Sequence, residues 1–86
     1  MSWMETAMTK LYFEPITVEF HNDHPRLFVW RKNIYRITAV LKRWMISVDW
    51  WRQEISRQYY TVECDDLGTY DIYRDTQGWF LERLHD

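Results

Sequence analysis

Apolar and polar residues alternate with a period of two along most of the chain. Over residues 15–20, Ile16, Val18 and Phe20 alternate with Thr17 and Glu19, which is typical of a half-buried β-strand. Later segments show the same alternation and are rich in β-branched and aromatic residues, which favour strands. Together these patterns predict six strands, over residues 15–20, 26–31, 34–45, 59–64, 69–74 and 79–84.

Residues that favour turns separate the predicted strands. Asn, Asp and Pro favour turns because their side chains or rings suit the turn backbone, and Gly accepts positive φ. The predicted turns are residues 21–25, 65–68 and 75–78, a two-residue corner at Lys32-Asn33, and a longer connection over residues 47–54.

The middle segment, residues 37–46, permits two interpretations. Ile37, Val40, Leu41 and Trp44 have the spacing of one helix face. The β-branched and aromatic residues on both flanks favour a strand instead. Because Val40 and Trp44 break the alternation of a regular strand, a β-bulge near Ala39 would be needed. We predict the strand and keep the helix as the alternative.

Short loops without a long crossover predict an antiparallel meander. A small sheet with apolar residues on both faces must curl on itself or find a partner. The fold class predicted is therefore mainly β, a six-stranded antiparallel meander forming a small, partly closed barrel or a strongly bent sheet. The chain has 86 residues, which suits one domain. We predict a loose N-terminal leader over residues 1–12 and a single β-rich domain over residues 13–86.

Composition narrows the classes of function. Six Trp, six Tyr and four Phe can fill a core that is rich for so short a chain. The net charge of −2 argues against a nonspecific binder of duplex DNA, which needs a basic excess. The chain has no basic, apolar leader and no apolar run of membrane-spanning length, so we expect neither a signal peptide nor a membrane span. A cytoplasmic location is the expectation.

Residues with catalytic or metal-binding chemistry are few and scattered. The sequence His-Asn-Asp-His at 21–24 lies in a predicted turn and lacks a third strong ligand nearby. Cys64 is the only cysteine and shares the phase of a buried strand face. Asp65 and Asp66 are adjacent, so their side chains would diverge in an extended segment. We predict no catalytic residues, no cofactor and no metal.

Trp50-Trp51-Arg52 is the most unusual segment of the chain. Two consecutive Trp side chains in an extended segment point in opposite directions, so one should reach the surface. An exposed Trp beside Arg has the composition of a protein interface hot spot, and it also suits stacking on unpaired bases. The alternative is that both Trp side chains plug an open end of the barrel.

Seven of the eleven cations lie between residues 31 and 57: Arg31, Lys32, Arg36, Lys42, Arg43, Arg52 and Arg57. Such asymmetry can mark an electrostatic face, although the solvent side of a strand is often basic without a function. The candidate interaction surface comprises Trp50, Trp51, Arg52, Arg31, Arg36 and Arg57.

Short motifs follow one another along nearly the whole chain from about residue 13: Glu14-Pro15-Ile16-Thr17-Val18, Phe28-Val29-Trp30-Arg31, Ile34-Tyr35-Arg36-Ile37, Val40-Leu41 with Trp44, Trp50-Trp51-Arg52, Arg57-Gln58-Tyr59-Tyr60-Thr61-Val62-Glu63, Tyr70-Asp71-Ile72-Tyr73 and Trp79-Phe80-Leu81-Glu82-Arg83. In their order and spacing, these motifs resemble a family of uncharacterised small bacterial domains. None of the motifs is catalytic, so the resemblance supplies no catalytic residue. Family members resemble stand-alone proteins and also C-terminal extensions of Y-family polymerase-like proteins, which implies an accessory role in translesion synthesis or DNA repair.

Three hypotheses about function follow. The leading one is a non-catalytic adaptor that docks onto a protein of the DNA-repair or replication machinery. The second is a small β-barrel that binds single-stranded nucleic acid, because such barrels lay bases on aromatic side chains inside a basic groove. A small enzyme is the least favoured. A homodimer is compatible with each, because a short meander leaves two sheet edges to pair.

Overall fold

The structure, a computed structural model, describes residues 9–50 and 53–85, and the side chains of residues 10–47 and 55–85. Six consecutive antiparallel strands form a closed barrel in sequence order, so the predicted meander is confirmed and its closure is complete. The strands are β1 (Thr9–His21), β2 (His24–Trp30), β3 (Asn33–Trp50), β4 (Gln53–Cys64), β5 (Thr69–Asp75) and β6 (Gly78–His85).

Two long strands close the barrel by belonging to two sheets at once. Residues 9–16 of β1 pair with β6, whereas residues 17–21 pair with β2. Residues 33–36 of β3 pair with β2, and the remainder of β3 pairs with β4. Because β1 also pairs with β6, the first and last strands do not leave the two free edges that the sequence argument for a homodimer assumed.

Two β-bulges shape β3. Its pairing with β4 shifts register twice, and the residues skipped are Thr38 and Leu41. Each bulge adds one residue, so the inward-facing positions of β3 recur every third residue here, at Ile37 and Val40. This spacing imitates one face of a helix. The helix alternative is therefore wrong, the bulge expected near Ala39 is confirmed, and a second bulge follows it.

Aromatic and branched side chains fill the barrel interior. Tyr60, Val62 and Cys64 of β4 all face it, as their alternation predicts. Phe28 stacks on Tyr35 with 4.9 Å between ring centroids. The buried core cluster consists of Phe28, Trp30, Tyr60, Val62, Cys64, Tyr70, Ile72 and Leu81.

Three predicted turns lie where the turn-forming residues place them. Asn22 and Asp23 join β1 to β2 with φ values of 51° and 64°, a left-handed conformation that these two residues tolerate well. Gly78 has φ of 140° at the start of β6, a conformation that requires glycine. Asp66 accepts a hydrogen bond from the amide of Gly68 (2.9 Å) and so closes the turn before β5.

The corner between β2 and β3 is one residue earlier than predicted. It consists of Arg31 and Lys32, with φ values of 53° and 69°, rather than Lys32 and Asn33. Two positive φ values match the twist of a tight hairpin, but they strain residues that carry a Cβ atom. The Asn33 side chain donates a hydrogen bond to the carbonyl of Arg31 (3.3 Å) across this corner.

Two further boundaries differ from the sequence-based predictions. Residues 47–54 are not a connection, because β3 extends to Trp50 and β4 begins at Gln53. β1 begins at Thr9, which lies inside the predicted leader; residues 1–8 are outside the described residues. No helix in the described part of the chain could span a membrane.

The corner supplies a matched pair of substitutions. Lys32→Gly should raise the free energy of unfolding by up to about 1 kcal/mol. Glycine removes the strain of the left-handed conformation, about 1–2 kcal/mol, and only part of this gain is lost because glycine makes the unfolded chain more flexible. Arg31→Gly relaxes the same backbone but should be less stable than the wild type, since Arg31 contacts three side chains. Urea denaturation followed by Trp fluorescence measures both; an equal change in the two variants would contradict the expectation.

Candidate interaction surface

Arg31, the first candidate cation, is held by its neighbours. Its guanidinium forms an ion pair with Glu14 at 2.7 Å and lies over the rings of Trp30 (4.7 Å) and Tyr12 (5.1 Å). The Trp30 indole also donates a hydrogen bond to Glu14 (2.8 Å). The hydrogen bonds from Arg31 and then Trp30 hold the pKa of the Glu14 carboxyl below its ordinary value. Arg31 therefore stabilises the corner and offers a ligand little free charge.

A row of aromatic rings crosses the outer face of the barrel. Trp44, Tyr59, Tyr73 and Phe80 occupy paired positions on β3, β4, β5 and β6. Successive ring centroids are 4.9, 5.1 and 5.2 Å apart. The two central rings, Tyr59 and Tyr73, are as buried as the barrel core. This row is a second, external cluster that the sequence analysis did not identify, although adjacent aromatic pairs such as Tyr59-Tyr60 and Trp79-Phe80 signal it.

Arg57, another candidate, belongs to this aromatic row. Its guanidinium lies 4.7 Å from the centre of the Tyr73 ring and donates a hydrogen bond to the Tyr59 hydroxyl (3.3 Å). The same hydroxyl donates to Glu82 (2.9 Å). Burial is the main cause that raises the pKa of Tyr59 above its ordinary value, so the hydroxyl stays protonated at neutral pH. Arg57 therefore covers the row as part of the fold.

Beyond the barrel, β3 and β4 continue as a two-stranded β-ribbon. β4 pairs with β5 only from Gln58 onward, so residues 53–57 of β4 pair with β3 alone. We call residues 45–50 and 53–57 the ribbon; it extends about 17 Å beyond the last β4–β5 pair. Trp50 is the final residue of β3. Trp51 and Arg52 lie outside the described residues, as does the side chain of Trp50.

Arg36, the remaining candidate, borders a gap between two strands. Pairing of β2 with β3 ends at Leu27 and Arg36, immediately before the first bulge of β3. His24 and Pro25 of β2 pair with β1 only, and Arg26, between Pro25 and Leu27, is skipped by a register shift of the β1–β2 pairing. Two shallow grooves of about 530 and 600 Å³ lie along this gap. We call the gap the seam; it is lined by residues 24–27 of β2, residues 36–43 of β3 and residues 19–21 of β1.

The seam is basic in an acidic protein. Four exposed cations line it against one carboxylate, that of Glu19. Among the described side chains, no carboxylate lies within ion-pair distance of any of the four. Two of them contact rings or imidazole instead: Lys42 lies over Trp44 at 5.1 Å, and Arg43 lies 3.3 Å from His24. The four cations are Arg26, Arg36, Lys42 and Arg43.

The structure therefore separates the predicted candidates instead of gathering them. Arg31 lies at a corner, Arg57 covers the outer aromatic row, and only Arg36 of the described candidates lines the seam. Lys42 and Arg43, part of the basic stretch noted in the sequence, join it there, together with Arg26. Arg26 carried no sequence signal, because the chain brings it to the seam only through the β1–β2 hairpin.

Cys64 lies in the barrel core, where its thiol is a poor nucleophile. Its side chain is 1% exposed. Burial, followed by the charges of Asp66, Asp65 and Glu63, raises the pKa of the Cys64 thiol to about 12. The thiolate needed by a nucleophile is therefore scarce at neutral pH. The prediction that Cys64 is a core residue is confirmed.

Asp71 is the one buried charged residue of the described part of the chain. It accepts a hydrogen bond from the Thr61 hydroxyl (2.7 Å) and lies 3.0 Å from the His85 Nε2 atom. Both partners contact the same carboxylate, and no described hydrogen bond joins Thr61 to His85. This network ties β4, β5 and β6 together. Among the described residues, no three potential ligands gather for a metal.

A pair of arginine substitutions separates the structural cation from the one at the seam. Arg57→Ala should lower the free energy of unfolding by about 1–2 kcal/mol, because it removes a ring contact and uncovers Tyr73. Arg36→Ala should change it by less than about 0.5 kcal/mol, since the exposed Arg36 side chain makes no described hydrogen bond or ion pair. Chemical denaturation measures both; a larger loss for Arg36→Ala would contradict the assignment.

The buried thiol makes stability depend on alkaline pH. The Cys64 thiol ionises near its ordinary pKa in the unfolded chain and only at about 12 in the folded one, so stability is intact below pH 9 and falls as pH rises above it. Cys64→Ala should make this slope shallower, by at most about 1.4 kcal/mol per pH unit. Urea titrations at pH 8 and pH 10.5 measure it; an unchanged slope in Cys64→Ala would exclude the thiol as a cause.

Comparison with known proteins places the chain in a family without assigning an activity. A family model described as a domain of unknown function, DUF6504, matches residues 4–86. The match therefore starts inside the predicted leader. No curated protein and no solved structure matches the chain significantly. Because the match covers nearly every residue, the chain belongs to the DUF6504 family, a domain of unknown function with an all-β, six-stranded barrel fold.

Proposed function

We propose that the protein is a non-catalytic adaptor domain whose β3–β4 ribbon and adjoining seam bind another protein. The observation that carries the proposal is a concentration of exposed apolar side chains on this part of the barrel. Met45 is 62% exposed, and Ile46 and Ile55 are each 40% exposed. Leu41, 56% exposed, lies at the base of the ribbon. A two-stranded ribbon without a covered face is only marginally stable in water, so a partner would stabilise it.

Ile46 and Ile55 form a continuous surface, whereas Met45, the neighbour of Ile46 along the extended strand, lies on the opposite ribbon face. Ile46 is paired with Arg57, and Ile55 stands two residues from Arg57 on the same strand, so the two isoleucines are diagonal neighbours on one ribbon face. Trp44 continues this face toward the outer aromatic row. Contiguous apolar surface, unlike isolated exposed residues, is typical of protein-binding sites. β3 ends at Trp50, the first residue of the Trp50-Trp51-Arg52 segment predicted as a hot spot.

We further propose a partner in translesion DNA synthesis or DNA repair. The support for this class of partner is the resemblance to domains that extend Y-family polymerase-like proteins. This support comes from the proteins to which such domains are attached, and the barrel itself specifies only that the contact surface is apolar and basic. The candidate partners are therefore proteins of the replication and repair machinery.

Single-stranded nucleic acid is the second candidate ligand, and the basic seam is the observation that favours it. The described aromatic side chains argue against it. Arg74 already lies over the rings of Phe20 and Trp79, at 5.3 and 5.4 Å, and Lys42 lies over Trp44. Bases stack on free aromatic faces, and because cations already cover these rings, they leave little surface for a base. A labelled oligonucleotide titrated at low salt tests this candidate; saturable, salt-sensitive binding would support it.

The adaptor function is tested with immobilised protein exposed to lysate from cells with damaged DNA. The variant Met45→Thr/Ile46→Thr/Ile55→Thr removes apolar surface while keeping residues that favour strands. We expect the wild type to retain a replication or repair protein, identified by mass spectrometry, and the triple variant to retain at least about tenfold less, since each contact residue contributes on the order of 0.5–1 kcal/mol.

Ile34→Thr is the matched control, because Ile34 is 59% exposed at the opposite end of β3. This variant should retain the partner as the wild type does. If the wild type retains no such protein, or if Ile34→Thr loses it equally, the proposed function is wrong. Circular dichroism of each variant establishes that the barrel is intact before retention is compared.

A further inference from the structure

β3 has a long backbone edge that no described strand covers. From Ile37 to Trp50, its hydrogen bonds run to β4 on one side only. On the other side, pairing with β2 stops at Arg36, and the first two residues of β2, His24 and Pro25, pair with β1 alone. An unpaired edge presents amide and carbonyl groups that can pair with another extended chain. The opposite edge of the ribbon, on β4, is much shorter, at residues 53–57.

The bulges and a proline keep this edge open. Thr38 and Leu41 are the bulged residues, and bulges bend a strand and end its pairing with a neighbour. Pro25 lies on the facing segment of β2 and has no amide hydrogen for a ladder. The two strands therefore cannot continue their pairing past Arg36. The open edge is built into the sequence of β2 and β3.

Charge identifies the kind of chain that fits this edge. Arg26, Arg36, Lys42 and Arg43 flank it and make no ion pair with a described carboxylate. The Arg43 guanidinium lies 3.3 Å from the Nδ1 atom of His24. A carboxylate would bind this guanidinium more strongly than a neutral imidazole does. A negatively charged extended chain would therefore gain charge-assisted hydrogen bonds along the whole seam.

We propose that residues 37–46 of β3 bind an acidic, extended peptide segment of a partner protein, which adds to the barrel as a further strand. The peptide's backbone pairs with the open edge, about 4.8 Å from β3. Its acidic side chains meet the four cations of the seam, and its apolar side chains contact Leu41 and Met45. The inference rests on the proposed adaptor function and specifies the chemistry of the partner.

Two other occupants fit less well. A second copy of this chain would bring a second set of the same four cations to the seam, and like charges repel. Nucleic acid would satisfy the cations but would leave the unpaired amides and carbonyls of β3 without a matching ladder. A peptide satisfies both the backbone and the charges. These occupants are distinguishable outcomes of one set of measurements.

The experiment pans a phage library of random twelve-residue peptides against the immobilised full chain. We expect enrichment of peptides with net negative charge and alternating β-branched residues. The most enriched peptide, labelled with fluorescein, is then titrated in anisotropy measurements. Methylating its alternate backbone nitrogens keeps its charge but removes hydrogen-bond donors, so affinity should fall by at least about tenfold, from the loss of two or more hydrogen bonds.

Matched charge variants locate the site. Lys42→Glu should weaken binding by about tenfold, which is the effect of reversing a charge beside a bound carboxylate. Lys10→Glu, on an exposed cation of β1 that does not line either groove of the seam, should change affinity by less than about twofold. Hydrogen exchange gives the direct readout: amides of residues 37–46 should become protected when the peptide is saturating, whereas those of β6 should not.

Four results would overturn the inference. They are no enrichment of any acidic peptide, equal affinity of the methylated peptide, equal weakening by Lys10→Glu, and edge protection that appears with protein concentration alone. Equal affinity of the methylated peptide together with competition by oligothymidylate would assign the seam to nucleic acid. If the amides of the β3 edge become protected when only the protein concentration is raised, and sedimentation shows a dimer, the seam binds a second copy of the chain. If a repair protein is still retained through Met45, Ile46 and Ile55, the adaptor function stands without the added strand.

Discussion

The rest of the structure depends on a single constraint, which is that β3 serves two sheets. An 18-residue strand cannot remain flat and also close a small barrel, so two bulges bend it after Arg36. After the bend, β3 no longer pairs with β2 and pairs with β4 alone, and this pairing continues beyond the barrel. The seam, the open edge and the ribbon all follow from it. Regular pairing along the full length of β2 would reach only Ala39, so it would narrow the seam and shorten the open edge but leave the ribbon.

The aromatic residues stabilise this arrangement from both faces of the wall. Inside the barrel, Phe28, Tyr35 and Tyr70 pack ring against ring, at 4.9 to 5.5 Å. Outside, the row from Trp44 to Phe80 ties four strands together at paired positions. A small barrel has a limited interior, and a second cluster on its outer face adds buried apolar area without widening it. Most aromatic side chains in the described part of the chain therefore serve the fold, and the large apolar residues that are exposed there are aliphatic except for Phe13.

The arginine residues have different roles, which depend on the side chains beside them. Arg31 binds Glu14, Arg57 covers Tyr73, and Arg36 extends into the seam without an ionic partner. The basic stretch between residues 31 and 57 is thus partly structural and partly available. Only the available part can recruit a negatively charged partner. A count of charges along the chain does not distinguish these tasks, since the distinction lies in contacts between strands that are distant in sequence.

The sequence by itself determined the strands, most turns and the buried face of β4, because alternation, turn chemistry and the position of Cys64 are local properties. It also indicated a bulge near Ala39 if residues 37–46 form a strand, since the apolar residues break the period of two, but it left a helix open as the alternative. Tertiary structure alone decided the closure between β1 and β6, the second bulge, and which cations meet at the seam. These depend on register between distant strands, and pairing energies there outweigh local preference. For the same reason, Arg31 and Arg57 looked available in sequence and became part of the fold.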